Sequence, residues 1–398
     1  MSGRRLSLRD RGWLPTETMR LTGPFAGLGT DGLTWALREW YAWCGPSRFT
    51  SRIDRDARRW RPASPAETAA ASVLHVPPAG PEALLIRAAA EPLDGRPLMF
   101  VHDGAYVVFK ASHATLDGGA ANALLPELLR SATGGQPAFP GPYATRLPLA
   151  RALVRHFGAD PRRLALAARL PRPVQEQARG PVRPWQPAPA YLTVRSERGV
   201  PGRIRAWREA TGSTASAASV VLAAIHSAFT QAGLPPAPGL TVLVNGRRYL
   251  GKRSWVPGNF ASGQYLAPSD PSDPEQVDAA ISSAVAAGRP LTSLALCDAR
   301  ELLSRASPQQ PRDVPAEARP ALSLSHQGRL TGYEDLPWSG PQRFGMFGTP
   351  GSPAGLTVSI AELGGALHLA AAFHASVFHP GQVRTALELV TTDPSTLV

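Results

Sequence analysis

Ser112-His113-Ala114-Thr115-Leu116-Asp117-Gly118-Gly119 is the stretch of this 398-residue chain on which the fold reading turns. The run before it, Ala105–Ala111 (Ala-Tyr-Val-Val-Phe-Lys-Ala), is β-branched and aromatic, the composition of a buried strand. The run after it, Ala120–Arg130, carries Leu124, Leu125, Leu128 and Leu129 on one helical face. A histidine at the end of a strand, followed at once by a turn on two glycines, stands where two domains can meet around it. An aspartate four residues on can fold back and fix the local backbone. Those residue types in that order suit a general base held in one orientation.

The His-x-x-x-Asp-Gly pattern resembles the active-site motif of the CoA-dependent acyltransferase superfamily, which includes nonribosomal peptide condensation domains, polyketide-associated acyltransferases and chloramphenicol acetyltransferase. The flanks resemble the same family. Pro92-Leu93-Asp94-Gly95-Arg96-Pro97-Leu98 is similar to the P-L-D…R-P-L lead-in, and Arg48–Trp60 to the L-R-x-R…D-G-x-W segment. Val244-Asn245-Gly246-Arg247 resembles the V-N-x-R strand end, and Gly258-Asn259-Phe260-Ala261-Ser262 the G-N-x-x-S element. Ser323-Leu324-Ser325-His326-Gln327-Gly328-Arg329 resembles the S-N-x-G-R segment near the C-terminal crossover. The resemblance spans roughly residues 45 to 390 in family order. Two positions depart from it. Ser112 stands where condensation domains carry the first of two histidines, while His113 holds the second. His326 replaces the asparagine of S-N-x-G-R.

The resemblance implies a fold class of two chloramphenicol-acetyltransferase-like α/β sandwich halves with a channel between them, residues 1–180 carrying the motif and 181–398 forming the second half. It implies that His113 removes a proton from an amine or hydroxyl acceptor as the acceptor attacks a thioester carbonyl. A histidine with an ordinary pKa near 6.5 supplies a neutral base at pH 7. Taken alone, His113 reads better as a core histidine satisfied by backbone; with Asp117-Gly118 and the flanks, catalysis is the favoured reading. The resemblance also implies that Asp117 faces away from the histidine and pairs with an arginine, for which Arg247 is the match. A bidentate aspartate–arginine pair locks a turn better than lysine could, and the pairing is favoured over the alternative of two separate surface charges. Gly118 and Gly119 allow close approach of backbone or cofactor. Ser112, Asn259, Ser262, Ser325 and His326 are the substrate-channel candidates. No serine or cysteine lies in a nucleophile-elbow pattern, which favours direct transfer over an acyl-enzyme. Oxyanion stabilisation then falls to backbone N–H groups or to Ser325, His326 or Asn259.

At 398 residues two domains are expected, and 43% apolar content can fill their cores. No apolar run approaches the roughly 20 residues of a membrane span. The basic start Met1–Ser7 lacks an apolar region behind it, which argues against a signal peptide and for a cytoplasmic protein. Cys44 and Cys297 alone support neither a disulfide framework nor zinc. The remaining histidines are scattered without metal-ligand spacing, so no metal is expected. Of 42 basic residues only Lys110 and Lys252 are lysine. The arginines are scattered, without a basic run interleaved with aromatics, so nucleic acid is not the expected partner. A net charge of +12 still attracts phosphate-bearing or acidic partners, a description that fits CoA and acyl carrier proteins.

Residues 33–43 read as an amphipathic helix stopped at Gly45-Pro46. Strands are expected near 50–54, 72–76, 84–88 and 97–112, and again at 191–194 and 239–244. The Pro/Gly/Arg-rich region from 131 to 190 suits the connection between halves, with helical turns inside 147–170. A helix is expected over 214–232, a hairpin about Gly364-Gly365, and a last helix from Pro380. Gly27-Leu28-Gly29-Thr30-Asp31-Gly32 matches the dinucleotide-binding fingerprint, but Pro24 breaks the apolar run ahead of it, and a helix-capping turn is the better reading.

The sequence therefore points to a free-standing acyltransferase that makes an amide or ester in natural-product biosynthesis. It holds no permanent cofactor, and its donor is carried on phosphopantetheine by a carrier protein in trans or by CoA. The acceptor is a small-molecule amine or hydroxyl, and a monomer without membrane association is expected. The alternative is a catalytically inactive condensation-like module that recruits biosynthetic partners.

Overall fold

The computed structural model describes residues 4–141, 144–169, 181–252, 254–303 and 311–398. Residues 170–180, in which the expected boundary between halves falls, lie outside the described residues, as do residues 1–3 of the basic N-terminus.

Two main sheets organise the chain. The first runs Trp338–Gly348, Glu17–Phe25, Val107–Ser112, Leu98–His102, Val73–His75. It is antiparallel except at the Val73–His75 edge. The second runs Ala261–Leu266, Leu240–Asn245, Ala321–Arg329, Gly355–Leu363, Ala366–His374, Pro189–Arg195. It is parallel where Ala321–Arg329 meets its two neighbours and antiparallel elsewhere. This is the expected α/β fold of two halves, with one exchange that a division at residue 180 does not convey. The Trp338–Gly348 strand leaves the second half and pairs with Glu17–Phe25 in the first sheet, Gly345 opposite Leu21 and Phe347 opposite Met19.

Packing follows the exchange. The second half has its own core, in which Val221, Ile225 and Phe229 of the Ala217–Gln231 helix meet Leu324, Val358 and Leu387. The first half packs Leu33 and Leu37 of the Thr30–Cys44 helix against Leu125 and Leu129, and takes Tyr333 and Phe344 from the second half into the same cluster. The crossing strand thus buries apolar side chains on its new partner, each worth about 1.5–3 kcal/mol.

Several sequence expectations need correction. The strand expected near 84–88 is the helix Pro81–Ala90: proline opens it, and Leu84, Leu85 and Ala88 form a buried face at helical spacing. The single strand over 97–112 is a hairpin, Leu98–His102 and Val107–Ser112, turning at Gly104. A strand does precede the Gly27–Gly32 fingerprint. Pro24 sits beyond Thr22, the last residue paired with Val107–Ser112, so no ladder bond is lost there. That strand runs antiparallel to both neighbours, unlike a dinucleotide-binding βαβ unit. Gly32 serves helix packing instead: a Cβ there would lie 2.2 Å from the Ala132 carbonyl oxygen. At Gly364 and Gly365, φ of 58° and 75° matches the two-residue turn that the glycine pair requires.

Among the described residues no single helix is long and apolar enough to cross a membrane.

Candidate active site

His113 lies on a short turn pinned at both ends. Before it, every residue of Val107–Ser112 is buried between two neighbouring strands. After it, the Ser112 carbonyl accepts from the N–H groups of Thr115 (2.8 Å) and Leu116 (3.3 Å). Asp117 then caps the helix Gly118–Ala132, accepting from Ala120 N–H at 2.9 Å. The turn is anchored sideways too, because His113 N–H donates to the Thr16 carbonyl at 3.0 Å.

Asp117 joins the halves. Its carboxylate, 1% exposed, receives both terminal nitrogens of Arg247 at 2.8 Å each, the Phe260 N–H at 2.9 Å and its own helix cap. Arg247 lies in the Gly246–Tyr249 turn that follows the Leu240–Asn245 strand. It also donates to the carbonyls of Val256 and Gly258 and to Asn245 Oδ1. A buried carboxylate with four donors, two in a parallel fork, is the strong form of such a pair. The structure therefore brings together Asp117, Arg247 and the 258–260 loop. Gly119 is part of the reason: a Cβ there would stand 3.2 Å from Arg247 Nη1, whereas at Gly118 it would make only ordinary contacts at 3.5 Å.

Asn259 approaches the imidazole, its Nδ2 lying 3.5 Å from His113 Nδ1. The amide orientation follows from Ala261 N–H, which donates to Asn259 Oδ1 at 3.0 Å. Burial pushes the His113 pKa below its usual value. Asp117 and a hydrogen bond to the residue's own carbonyl oppose that shift, and Arg20 adds to it.

The other channel candidates divide. Ser112 is buried beside His113, its hydroxyl unpartnered. Ser325 faces the seam, where its Oγ accepts from Gln327 Nε2 at 2.6 Å. His326 takes the opposite side of its strand, in register with Ile360 of the second core, and burial pushes its pKa down to about 4. Strand alternation thus separates Ser325 from His326. Ser262 also turns away from the seam: its hydroxyl donates to Pro290 O at 3.1 Å on the helix-covered face.

Sequence reasoning passed over Arg20, Asn122, Gln327 and Trp13. Arg20 is fully buried and donates to Asn122 Oδ1 (2.9 Å), Thr18 Oγ1 (3.2 Å) and the Gly118 carbonyl (3.2 Å). Burial lowers its pKa to about 10. Asn122 continues to Gln327 Oε1 at 3.0 Å, so a hydrogen-bonded chain runs from the first sheet through the motif helix to Ser325 of the second. An arginine in an alternating strand gives no sign of such burial. Trp13 stacks on His113, ring centroids 4.3 Å apart at 26°. Its position in the chain, far from the motif, carries no such signal.

No family model matches the sequence, and no curated protein is significantly similar to it. Solved structures are. The first condensation domain of the CDA synthetase is similar over 99% of this chain and 97% of its own, at 17% identity and a TM-score of 0.62. Polyketide synthase associated protein 5 from Mycobacterium tuberculosis is similar over 99% and 98%, at 16% identity and 0.59. The TRI3 trichothecene 15-O-acetyltransferase from Fusarium sporotrichioides is similar over 99% and 95%, at 12% identity and 0.62. The chain has the fold that these three structures share.

Proposed function

We propose that this protein is a condensation-type acyltransferase that forms an amide or ester from an acyl thioester and an amine or hydroxyl acceptor. The observation that carries the reading is the imidazole of His113 at the seam of the two halves, on a turn that Asp117 and Arg247 bolt across that seam. As the acceptor nitrogen or oxygen attacks the thioester carbonyl, the His113 imidazole takes its proton. The new C–N or C–O bond forms, the C–S bond breaks, and the thiolate leaves with the proton returned by the imidazolium. Burial that lowers the histidine's pKa keeps it neutral, and so able to act as a base, at pH 7. Asn259 Nδ2, 3.5 Å from His113 Nδ1, is the first candidate to steady the developing oxyanion.

The donor is a substrate carried on phosphopantetheine, delivered by a carrier protein in preference to free CoA, in cytoplasmic natural-product biosynthesis. The +12 charge supports encounter with either polyanion. The test is mass spectrometry of products from a panel of acyl-CoA and carrier-bound acyl thioesters with amine and alcohol acceptors. An acylated acceptor that forms only with enzyme and thioester present is the expected result. Carrier-protein binding without any product across the panel overturns the catalytic reading in favour of a recruiting module.

A further inference from the structure

His113 is held from a direction that its own strand does not supply. The Ser7–Thr16 segment crosses the seam above the motif turn and is tied to both halves. Ser7 and Asp10 close a capping box around the short helix Leu8–Gly12. Arg9 donates twice to Asp298 of the helix Arg289–Leu303, at 3.2 and 2.6 Å, and its guanidinium lies 5.4 Å from the Phe260 ring centroid. Asp10, 4% exposed, accepts from Arg48 at 2.7 Å, and Arg48 donates onward to the carbonyl of Ala114 at 3.3 Å, inside the His113 turn. Thr16 accepts the His113 N–H. Between these anchors Trp13 lays its indole on the imidazole.

We propose that Trp13 is a positioning residue for His113: its indole fixes the imidazole plane and keeps water off one ring face, and the Arg9–Asp298 and Asp10–Arg48 pairs hold the indole there. The inference rests on the base reading for its catalytic consequence, but not for its geometry. The second side-chain torsion of histidine is broad and two-fold, so a contact at Nδ1 alone leaves the plane free to rock. A face-on partner at 4.3 Å removes that freedom. The charged groups around the ring are Asp117 and Arg20, with Arg48 bonded to the adjacent carbonyls. None of them changes when Trp13 is replaced, so an altered His113 titration reports the indole itself.

The experiment compares Trp13→Ala and Trp13→Phe by NMR titration of the His113 ring, assigned with His113→Gln, alongside steady-state kinetics and urea midpoints. Trp13→Ala raises the His113 pKa towards its ordinary value by about half a unit or more, because water reaches the exposed face. It lowers kcat by roughly ten- to a hundredfold with KM little changed, as misaligned proton transfer does. Trp13→Phe restores both. If Trp13→Ala unfolds the protein, Arg9→Gln loosens the same segment and moves the pKa in the same direction by less. An unmoved pKa in the folded Ala variant, or a Phe variant as impaired as Ala, overturns the proposal. The NMR arm needs no turnover: wild-type protein that makes no product refutes the base reading, while the titration still decides the role of Trp13.

Discussion

Removing one partner of the Asp117–Arg247 pair has a cost that the geometry sets. Arg247→Ala leaves the Asp117 carboxylate, 1% exposed, with only the Ala120 and Phe260 N–H groups, after losing two charge-assisted bonds of 2.8 Å. Breaking a buried ion pair from one side costs about 3–5 kcal/mol. Asp117→Asn keeps one carbonyl oxygen for the helix cap but presents an N–H group to a guanidinium, a loss of about 2–4 kcal/mol from the weakened pair and the altered cap. The double variant removes the unmatched charges together, so it costs less than the sum by about 1–3 kcal/mol, as contacting residues do. Urea unfolding of the four proteins, with m unchanged, gives the coupling. Additivity within about 0.5 kcal/mol refutes the cross-seam bolt, because partners that share two bonds cannot behave as independent sites.

The two glycines of the motif separate in the same assay. Gly119→Ala forces a Cβ to 3.2 Å from Arg247 Nη1 and destabilises, whereas Gly118→Ala, in ordinary contact at 3.5 Å, is neutral or slightly stabilising; equal effects would contradict the role given to Gly119. Because the base must be neutral and its pKa is lowered, kcat/KM rises with pH through a value below 6.5 and is flat above neutrality; a limb centred above pH 7 would assign the proton to another group. His102, His326 and His368, with pKa values pushed down to about 4, are protonated in the unfolded chain before the folded one. Their contribution to stability is therefore complete above about pH 6.5 and falls progressively as pH drops towards 4; a urea midpoint unchanged between pH 7 and 5 would contradict it. Efficiency with a carrier-bound donor falls steeply as salt rises, since exposed charges are screened over about 10 Å at 0.1 M; a flat salt profile would point to small diffusible donors.

The legible parts of this fold are those where local chemistry and tertiary context agree. The β-branched run, the turn and the leucine face around His113 read directly as strand, turn and helix, and Gly364-Gly365 reads as a hairpin because glycine takes both positive φ values without strain. Segments whose environment comes from distant chain did not read correctly. Trp338–Gly348 joins a sheet laid down some three hundred residues earlier, a pairing that no local pattern carries. Pro81–Ala90 looked β-like around Leu84 and Leu85, and helix won through alanine content and an opening proline. Within the site, the meeting of Asp117 and Arg247 matches what the resemblance implied for their geometry. His326 and Ser262 did not reach the seam because strand alternation turns them away. Arg20 and Trp13 were invisible, since burial of an arginine and stacking of an indole are decided by partners far along the chain.

The central claim is that His113 performs the proton transfer. Its most direct test is product formation by His113→Ala against wild type on whichever thioester and acceptor the panel identifies, with folding checked by urea unfolding. Positioned proton transfer accounts for a loss of about 10²–10⁴ in turnover with the midpoint preserved. Turnover near wild type in a folded His113→Ala protein would contradict the account.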